Sequence, residues 1–141
     1  MRLLERFSPL GGRVLLSLIF LAGAYWKIKY WATTVEMLDL KGIPAPAAAL
    51  AVATILELAG GLALLVGFKT RFAALVLFAY VVPVTLVMHS FLGLEGAERQ
   101  DQTVHFMKNV AIMGGLLMVT AAGSGPFSTD ARLEGLADRG I

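Results

Sequence analysis

The sequence predicts an all-α integral membrane protein, a four-helix bundle with a short interfacial helix after the first span. The residues AVILMFWYC make up 57% of the 141 residues, 16% are charged, and the mean hydropathy is +0.75. Soluble domains of this length are far less apolar. Four apolar runs are each long enough to cross a hydrocarbon core of about 30 Å, which takes roughly 20 helical residues. The chain is therefore expected to have lipid rather than water as its main solvent.

The first predicted span covers residues 14–31 and ends among aromatic residues that are typical of a membrane interface. Beyond it, Thr33 and Glu36 have the spacing of a capping box, and Pro44 closes the following run. This pattern predicts a short helix over residues 34–41 that lies in the interface.

Three further spans are predicted over residues 47–67, 72–92 and 104–122. Pro83 lies inside the third span, where neighbouring helices can satisfy the carbonyl that proline leaves free. Thr103 is the predicted N-cap of the fourth span.

The chain divides by composition into two predicted regions. Residues 1–125 form the four-helix transmembrane domain, and residues 126–141 form a polar, exposed C-terminal tail with a partial helix over residues 130–138.

An even number of spans places both termini on one side of the membrane. Counting Lys and Arg by side then predicts which side is cytoplasmic. The side that holds the termini carries seven Lys and Arg residues, namely Arg2, Arg6, Arg13, Lys69, Arg71, Arg132 and Arg139. The other side carries five, namely Lys27, Lys29, Lys41, Arg99 and Lys108. We therefore predict that both termini lie in the cytoplasm.

Several functional classes are excluded by composition. The chain has no cysteine, so disulfide exchange and thiolate-bound metals are ruled out. Its cations are scattered rather than clustered, which argues against nucleic-acid binding. Two histidines without an accompanying motif do not indicate haem or a metal site.

Charged residues inside a span are the strongest functional signal, because each costs about 2.5–3.5 kcal/mol at the helix centre on insertion scales. Glu57 is the deepest of them. Other polar side chains fall at matching depth on the remaining spans and are expected to form one polar pocket with it in the outer half of the bundle. The candidate catalytic residues are Glu57, His89, His105 and Lys108, and the candidate ligand-binding residues are Lys27, Glu57, Asn109, Trp26 and Tyr30.

Structural roles compete with these assignments. Lys27 or Lys108 is the expected counter-ion of Glu57, which would lower the cost of burying it. Asn109 alone would be a hydrogen-bonding contact between helices, and either histidine alone an interfacial side chain.

A pocket of this kind suits a ligand whose oxygens gain or lose charge. Histidines and a lysine beside a buried carboxylate can exchange protons with quinone carbonyls, and an apolar cavity between helices can admit a ring from the lipid. A quinone is therefore the cofactor considered, although the residues specify none.

Several stretches resemble the DoxX family of small four-helix bacterial membrane proteins. The most telling is the Glu-x-x-Gly-Gly block at Glu57–Gly61, and the likeness extends from Arg13 to Asp130. The other matching stretches include Gly42-Ile43-Pro44, Thr70-Arg71, Lys108-Asn109, Gly114-Gly115 and Gly123-Ser124-Gly125. The resemblance implies a location in the bacterial cytoplasmic (inner) membrane. It also implies association with membrane oxidoreductase assemblies, which include a thiosulfate:quinone oxidoreductase subunit and an oxidative-stress complex. It does not fix a substrate, and no cation cluster for thiosulfate is present.

Three hypotheses follow. The first is a subunit of a membrane oxidoreductase system that binds a quinone-like or other small hydrophobic molecule, with redox partner proteins supplying electrons. The second is a proton-coupled small-molecule transporter, which requires an unpaired, accessible Glu57. The third is a non-catalytic scaffold for partner proteins. Whether the chain itself catalyses a reaction, and whether it forms a homo-oligomer in the bilayer, is left open.

Overall fold

The computed structural model describes residues 2–139, so the outermost residues of the predicted regions 1–125 and 126–141 lie outside it. The helices are α1 (Arg2–Lys29), α2 (Trp31–Leu40), α3 (Pro46–Val66), α4 (Thr70–Met88), α5 (Gly96–Ala122) and α6 (Thr129–Ala137). Across this described part there is no β-strand. Four of the helices (α1, α3, α4 and α5) are long and apolar enough to cross a membrane. The prediction of an all-α integral membrane bundle is confirmed.

The four long helices pack as an antiparallel bundle around one apolar core. α1 lies chiefly against α3, and α4 lies between α3 and α5. The buried core comprises Phe20, Leu64, Ala73, Ala74, Leu77, Val81 and Leu116. Many other apolar side chains point outward, as expected where the surrounding solvent is lipid.

Three predicted helix starts are wrong. The first span was predicted to begin at residue 14, whereas α1 already begins at Arg2, because the helix continues through the polar residues that precede the apolar run. The fourth span does not begin after an N-cap at Thr103, because α5 starts at Gly96 and Thr103 lies inside it, donating to the Arg99 carbonyl over 2.7 Å. The intervening residues are mostly good helix formers and extend the helix past its apolar run. Thr33 does not cap the short helix either, since α2 already begins at Trp31, and its cap, Tyr30, makes no side-chain capping bond.

A buried arginine fixes one end of the bundle. The Arg13 side chain, 1% exposed, donates to the Leu64 carbonyl over 3.1 Å and to the Phe127 carbonyl over 2.6 Å. Gly67 ends α3 with φ +73°, and a side chain there would collide with the Arg13 guanidinium. The guanidinium therefore ties α1 to both the α3–α4 turn and the C-terminal segment.

The C-terminal segment, predicted as an exposed tail, is anchored by this turn. Asp130 accepts hydrogen bonds from the backbone N–H groups of Lys69 (2.6 Å) and Thr70 (2.9 Å), the N-cap and the first residue of α4. Its own N–H donates to the Gly67 carbonyl over 2.9 Å. A helix start leaves N–H groups without intrahelical partners, and a side chain distant in sequence supplies the acceptor here. The predicted partial helix is present as α6.

Candidate functional site

The carboxylate of Glu57 lies at the centre of a polar cluster inside the bundle. Lys27 Nζ is 2.8 Å from both carboxylate oxygens, and the Tyr80 hydroxyl donates to Oε1 over 2.8 Å. The Glu57 side chain is 9% exposed and that of Lys27 25% exposed. Three of the four long helices thus meet at one buried charge pair with a phenol as third member.

The helices bring these groups together at mid-membrane depth. Glu57 lies eleven residues after Pro46 and nine before Val66, which at about 1.5 Å per residue is roughly 16 and 14 Å from the two ends of α3. Gly23 lies one turn before Lys27, and a Cβ there would be 2.9 Å from Glu57 Oε2. The absence of a side chain at Gly23 lets α1 approach the carboxylate while Lys27 reaches it from the next turn.

Tyr80 was missed by sequence reasoning. An aromatic residue in an apolar span does not stand out as polar, and its partner depends on how α4 is rotated. A general signal was available, because a buried tyrosine hydroxyl usually finds a hydrogen-bond partner.

A second cluster joins the end of α4 to α5. His89 follows α4, and its ring stacks on that of His105 with centroids 5.1 Å apart. His89 Nδ1 lies 3.0 Å from Gln102 Oε1, and Lys108 Nζ lies 3.0 Å from His105 Nδ1. His105 Nε2 is 3.7 Å from an Asp101 carboxylate oxygen.

The hydrogen-bond directions in this second cluster are fixed by chemistry. An amide oxygen only accepts and an ammonium only donates, so His89 donates to Gln102 through Nδ1–H and His105 Nδ1 accepts from Lys108. Burial lowers the pKa of His89; the Gln102 bond opposes this, and the neighbouring His105, Lys108 and Lys41 add to the lowering.

Asn109 stands apart from both clusters. It is 8% exposed and donates to the Thr85 hydroxyl over 3.0 Å, while Thr85 itself donates to the Val81 carbonyl. This hydrogen bond joins α5 to α4.

A cavity of about 980 Å³ lies beside the Lys27–Glu57 pair, between the end of α1, α2, the first half of α3 and the second half of α4. Four of the predicted site residues line it: Trp26, Lys27, Tyr30 and His89. Glu57 lies behind Lys27 and Tyr80, which both form part of the wall. His105, Lys108 and Asn109 are not among its lining residues. The rest of the wall is mainly aliphatic, with residues such as Leu38, Ile43 and Val84.

No group of three or more His, Asp or Glu side chains that could hold a metal ion occurs within residues 2–139. The polar atoms that face the cavity are instead those of Lys27, Tyr30, Tyr80, His89 and neighbouring residues. Such a lining, apolar with a few converging hydrogen-bonding groups, is typical of sites for small organic ligands.

Comparison with known proteins gives the family. The model of the DoxX family matches residues 8–90, a stretch that holds the Lys27–Glu57 pair, Tyr80 and His89. The chain belongs to the DoxX family. The E. coli K12 inner membrane protein YqjF is 33% identical over 134 residues, covering 95% of this chain and 98% of that protein. The E. coli K12 inner membrane protein YphA is 28% identical over 120 residues, covering 85% and 86%.

A more distant similarity reaches a eukaryotic protein. The ER-derived vesicles protein ERV29 of Saccharomyces cerevisiae is 27% identical over 119 residues, which cover 84% of this chain but 31% of that protein. No solved structure matches the chain significantly.

Proposed function

We propose that this DoxX-family protein is an inner membrane subunit of a membrane-associated oxidoreductase system, and that it binds a quinone-like or other small hydrophobic molecule in the cavity beside Lys27. The proposal rests on the position of the Lys27 ammonium. It lies on the cavity wall and forms an ion pair with the buried Glu57 carboxylate on its side away from the cavity. The names of YqjF and YphA support the inner membrane as the location.

Lys27 and Tyr80 can serve both redox forms of such a ligand. An ammonium has three N–H donors, and Glu57 accepts two of them, so the third remains for a ligand carbonyl. The Tyr80 hydroxyl gives its hydrogen to Glu57, so its oxygen can accept from a ligand hydroxyl. A quinone takes up two electrons and two protons to become a quinol, and a redox partner protein would supply the electrons.

His89 is suited to deliver protons to this cavity. It lines the wall, and its stacked neighbour His105 contacts Lys108 and Asp101 on the more exposed side of α5. Histidine is the side chain whose ordinary pKa lies nearest to neutral pH, which suits it to proton exchange. We assign His89, His105 and Lys108 a proton-transfer role rather than direct contact with the ligand ring, and Asn109 a role between helices.

The geometry does not favour proton-coupled transport of a cation. That mechanism needs an accessible, unpaired carboxylate, whereas Glu57 is buried and its oxygens are shared by Lys27 and Tyr80. An incoming cation would have to displace the ammonium. The scaffold hypothesis predicts that the protein binds no quinone saturably, which a binding experiment can test.

We further propose that both termini are cytoplasmic, which puts the cavity in the outer half of the bundle. Because the chain has no cysteine, single cysteines can be introduced for labelling with a membrane-impermeant maleimide. A cysteine at Ser90 should be labelled from outside intact cells and one at Asp138 only after lysis; the reverse pattern would invert the orientation.

Ligand binding can be measured through Trp26. The chain has two tryptophans, and Trp31→Phe leaves only the one on the cavity wall. In nanodiscs, a short-chain benzoquinone should quench its fluorescence saturably. The paired variant Lys27→Met/Glu57→Gln should weaken binding about tenfold or more, since a hydrogen bond to a charged group contributes about 1.5–3 kcal/mol. Tyr80→Phe should leave the affinity for this probe nearly unchanged, because the Tyr80 oxygen can only accept and a quinone has no hydroxyl to donate.

The matched control is Lys29→Met, which removes the same charge from the same helix at a residue that does not line the cavity. It should leave the dissociation constant unchanged although Lys29 lies over the Trp26 ring and will alter the starting fluorescence. Linear, non-saturating quenching in the otherwise unaltered protein would reject the ligand site and leave the scaffold hypothesis. Equal affinity in the Lys27 and Lys29 variants would show that the head group binds elsewhere.

A further inference from the structure

The cavity wall is polar on one side and aliphatic on the other. Towards α2 and α5 it presents Thr34, Lys41, His89 and Gln102, whereas the edges formed by α3 and α4 are aliphatic. Along α3 the edge residues are its N-cap Ala45 together with Ala48 and Val52, and on α4 they are Pro83 and Val87. All five of these line the cavity and are exposed.

Exposed lining residues on both helices indicate that the cavity is open to the surface between α3 and α4. The two helices are held tightly near their connecting turn, where a Cβ at Gly60 would be 2.7 Å from the Leu77 side chain. They are still joined at mid-depth by the Tyr80–Glu57 hydrogen bond. Beyond that point the small side chains at Ala48 and Val52 leave a gap. Because both helices cross the membrane, such a gap opens into lipid.

We propose that the ligand is a chain-bearing amphiphile that enters sideways from the bilayer, with its ring at Lys27 and Tyr80 and its hydrocarbon chain lying between α3 and α4. This rests on the proposed function and names the class of ligand: a lipid-dissolved ring compound with an isoprenoid-like or alkyl chain. The chain leaves the cavity past Ala48 and Val52 on one side and Pro83 and Val87 on the other.

The depth of the polar groups distinguishes this occupant from a bilayer phospholipid. Glu57 lies roughly 16 Å along α3 from its first residue, inside the hydrocarbon region, whereas a phospholipid head group lies at the interface. The head group of the proposed ligand must therefore have a polarity low enough for it to dissolve in the membrane core. A quinone ring meets this condition and a phosphate does not.

The experiment compares two ligands and three variants in nanodiscs on the Trp31→Phe background. Ala48→Phe and Val52→Phe narrow the gap, and Ile55→Phe is the control, since Ile55 is 64% exposed on the same helix and does not line the cavity. The probes are a benzoquinone with a long isoprenoid chain and the same ring without a chain. We expect Ala48→Phe and Val52→Phe to slow quenching by the long-chain probe about tenfold, with the chainless probe and the Ile55→Phe control unchanged.

A photoreactive diazirine near the ring end of the chain gives a second readout that needs no variant. Irradiation should label peptides that contain Val52 or Val87. If the probe binds saturably but the gap variants match the control and labelling falls elsewhere, lateral entry is wrong while the proposed function stands. If neither quinone binds saturably, both fail. Labelling by a diazirine phospholipid at the same residues, undiminished by excess quinone, would assign the gap to bilayer lipid and overturn the inference.

Discussion

A double-mutant cycle on the Lys27–Glu57 pair tests the central feature of the site. Removing one partner of a buried ion pair costs about 3–5 kcal/mol, because it strands the other charge. Lys27→Met leaves a carboxylate with 9% exposure and only Tyr80 as partner, so we expect a loss of about 3 kcal/mol. Glu57→Gln leaves an ammonium on a side chain that is 25% exposed and close enough to the end of α1 to reach toward the interface, so about 1–2 kcal/mol is expected.

The double variant Lys27→Met/Glu57→Gln strands no charge and should lie within about 1 kcal/mol of the unaltered protein. The coupling energy is then about 3–6 kcal/mol. Unfolding by SDS in mixed micelles, followed by loss of helicity, gives the free energies. Additive single effects, with the double variant as damaged as their sum, would refute direct pairing. Lys29→Met, which removes an exposed cation on the same helix, should change stability by less than about 0.5 kcal/mol.

Two further predictions concern packing and the C-terminal segment. Gly60→Ala should destabilise the bundle by about 1–2 kcal/mol, since the new Cβ would be 2.7 Å from the fully buried Leu77. The control is Gly114→Ala, whose Cβ would meet no atom within 4 Å and which should be neutral or stabilising by up to about 1 kcal/mol in the same unfolding assay. Equal effects of the two substitutions would contradict the close contact between Gly60 and Leu77. For Asp130, burial raises the pKa, but the backbone N–H donors at the start of α4 and the Arg13 charge bring it below its ordinary value. Its contribution, about 1 kcal/mol for a capping bond, is therefore present above the ordinary pKa and lost as the pH falls through the lower folded value. Asp130→Asn should be less stable at pH 7, and the difference should disappear under acid conditions; a constant difference across that range would contradict the assignment.

Hydropathy was enough to predict the fold class, because a bilayer allows an apolar chain of this length few alternatives to a helical bundle. Helix ends were predicted less well. The α5 helix continues through polar residues from Gly96, since helix propensity does not stop where hydrophobicity does. The anchoring of Asp130 at the start of α4 spans 60 residues in sequence, and no local pattern indicates such a contact.

The site was only partly predictable for a related reason. The depth of Glu57 and the choice of Lys27 or Lys108 as its counter-ion follow from position along the helices, and the structure pairs it with Lys27. Tyr80 could not be selected, because depth does not reveal how a helix is rotated about its axis. The same limit explains why residues at similar depth fall into two clusters, with Lys108 beside His105 rather than beside Glu57.

The energetics of the Lys27–Glu57 pair bear directly on function. Replacing both members of a buried pair by uncharged residues is often neutral or even stabilising, so we expect that the pair is not needed to hold α1 against α3. The double variant Lys27→Met/Glu57→Gln, however, has no charged N–H donor to offer a ligand in the apolar cavity at mid-membrane depth. A double variant that keeps its stability but loses quinone binding would separate the two roles. The charge pair would then be a binding device, and the packing at Gly23, Gly60 and Leu77 would account for the fold.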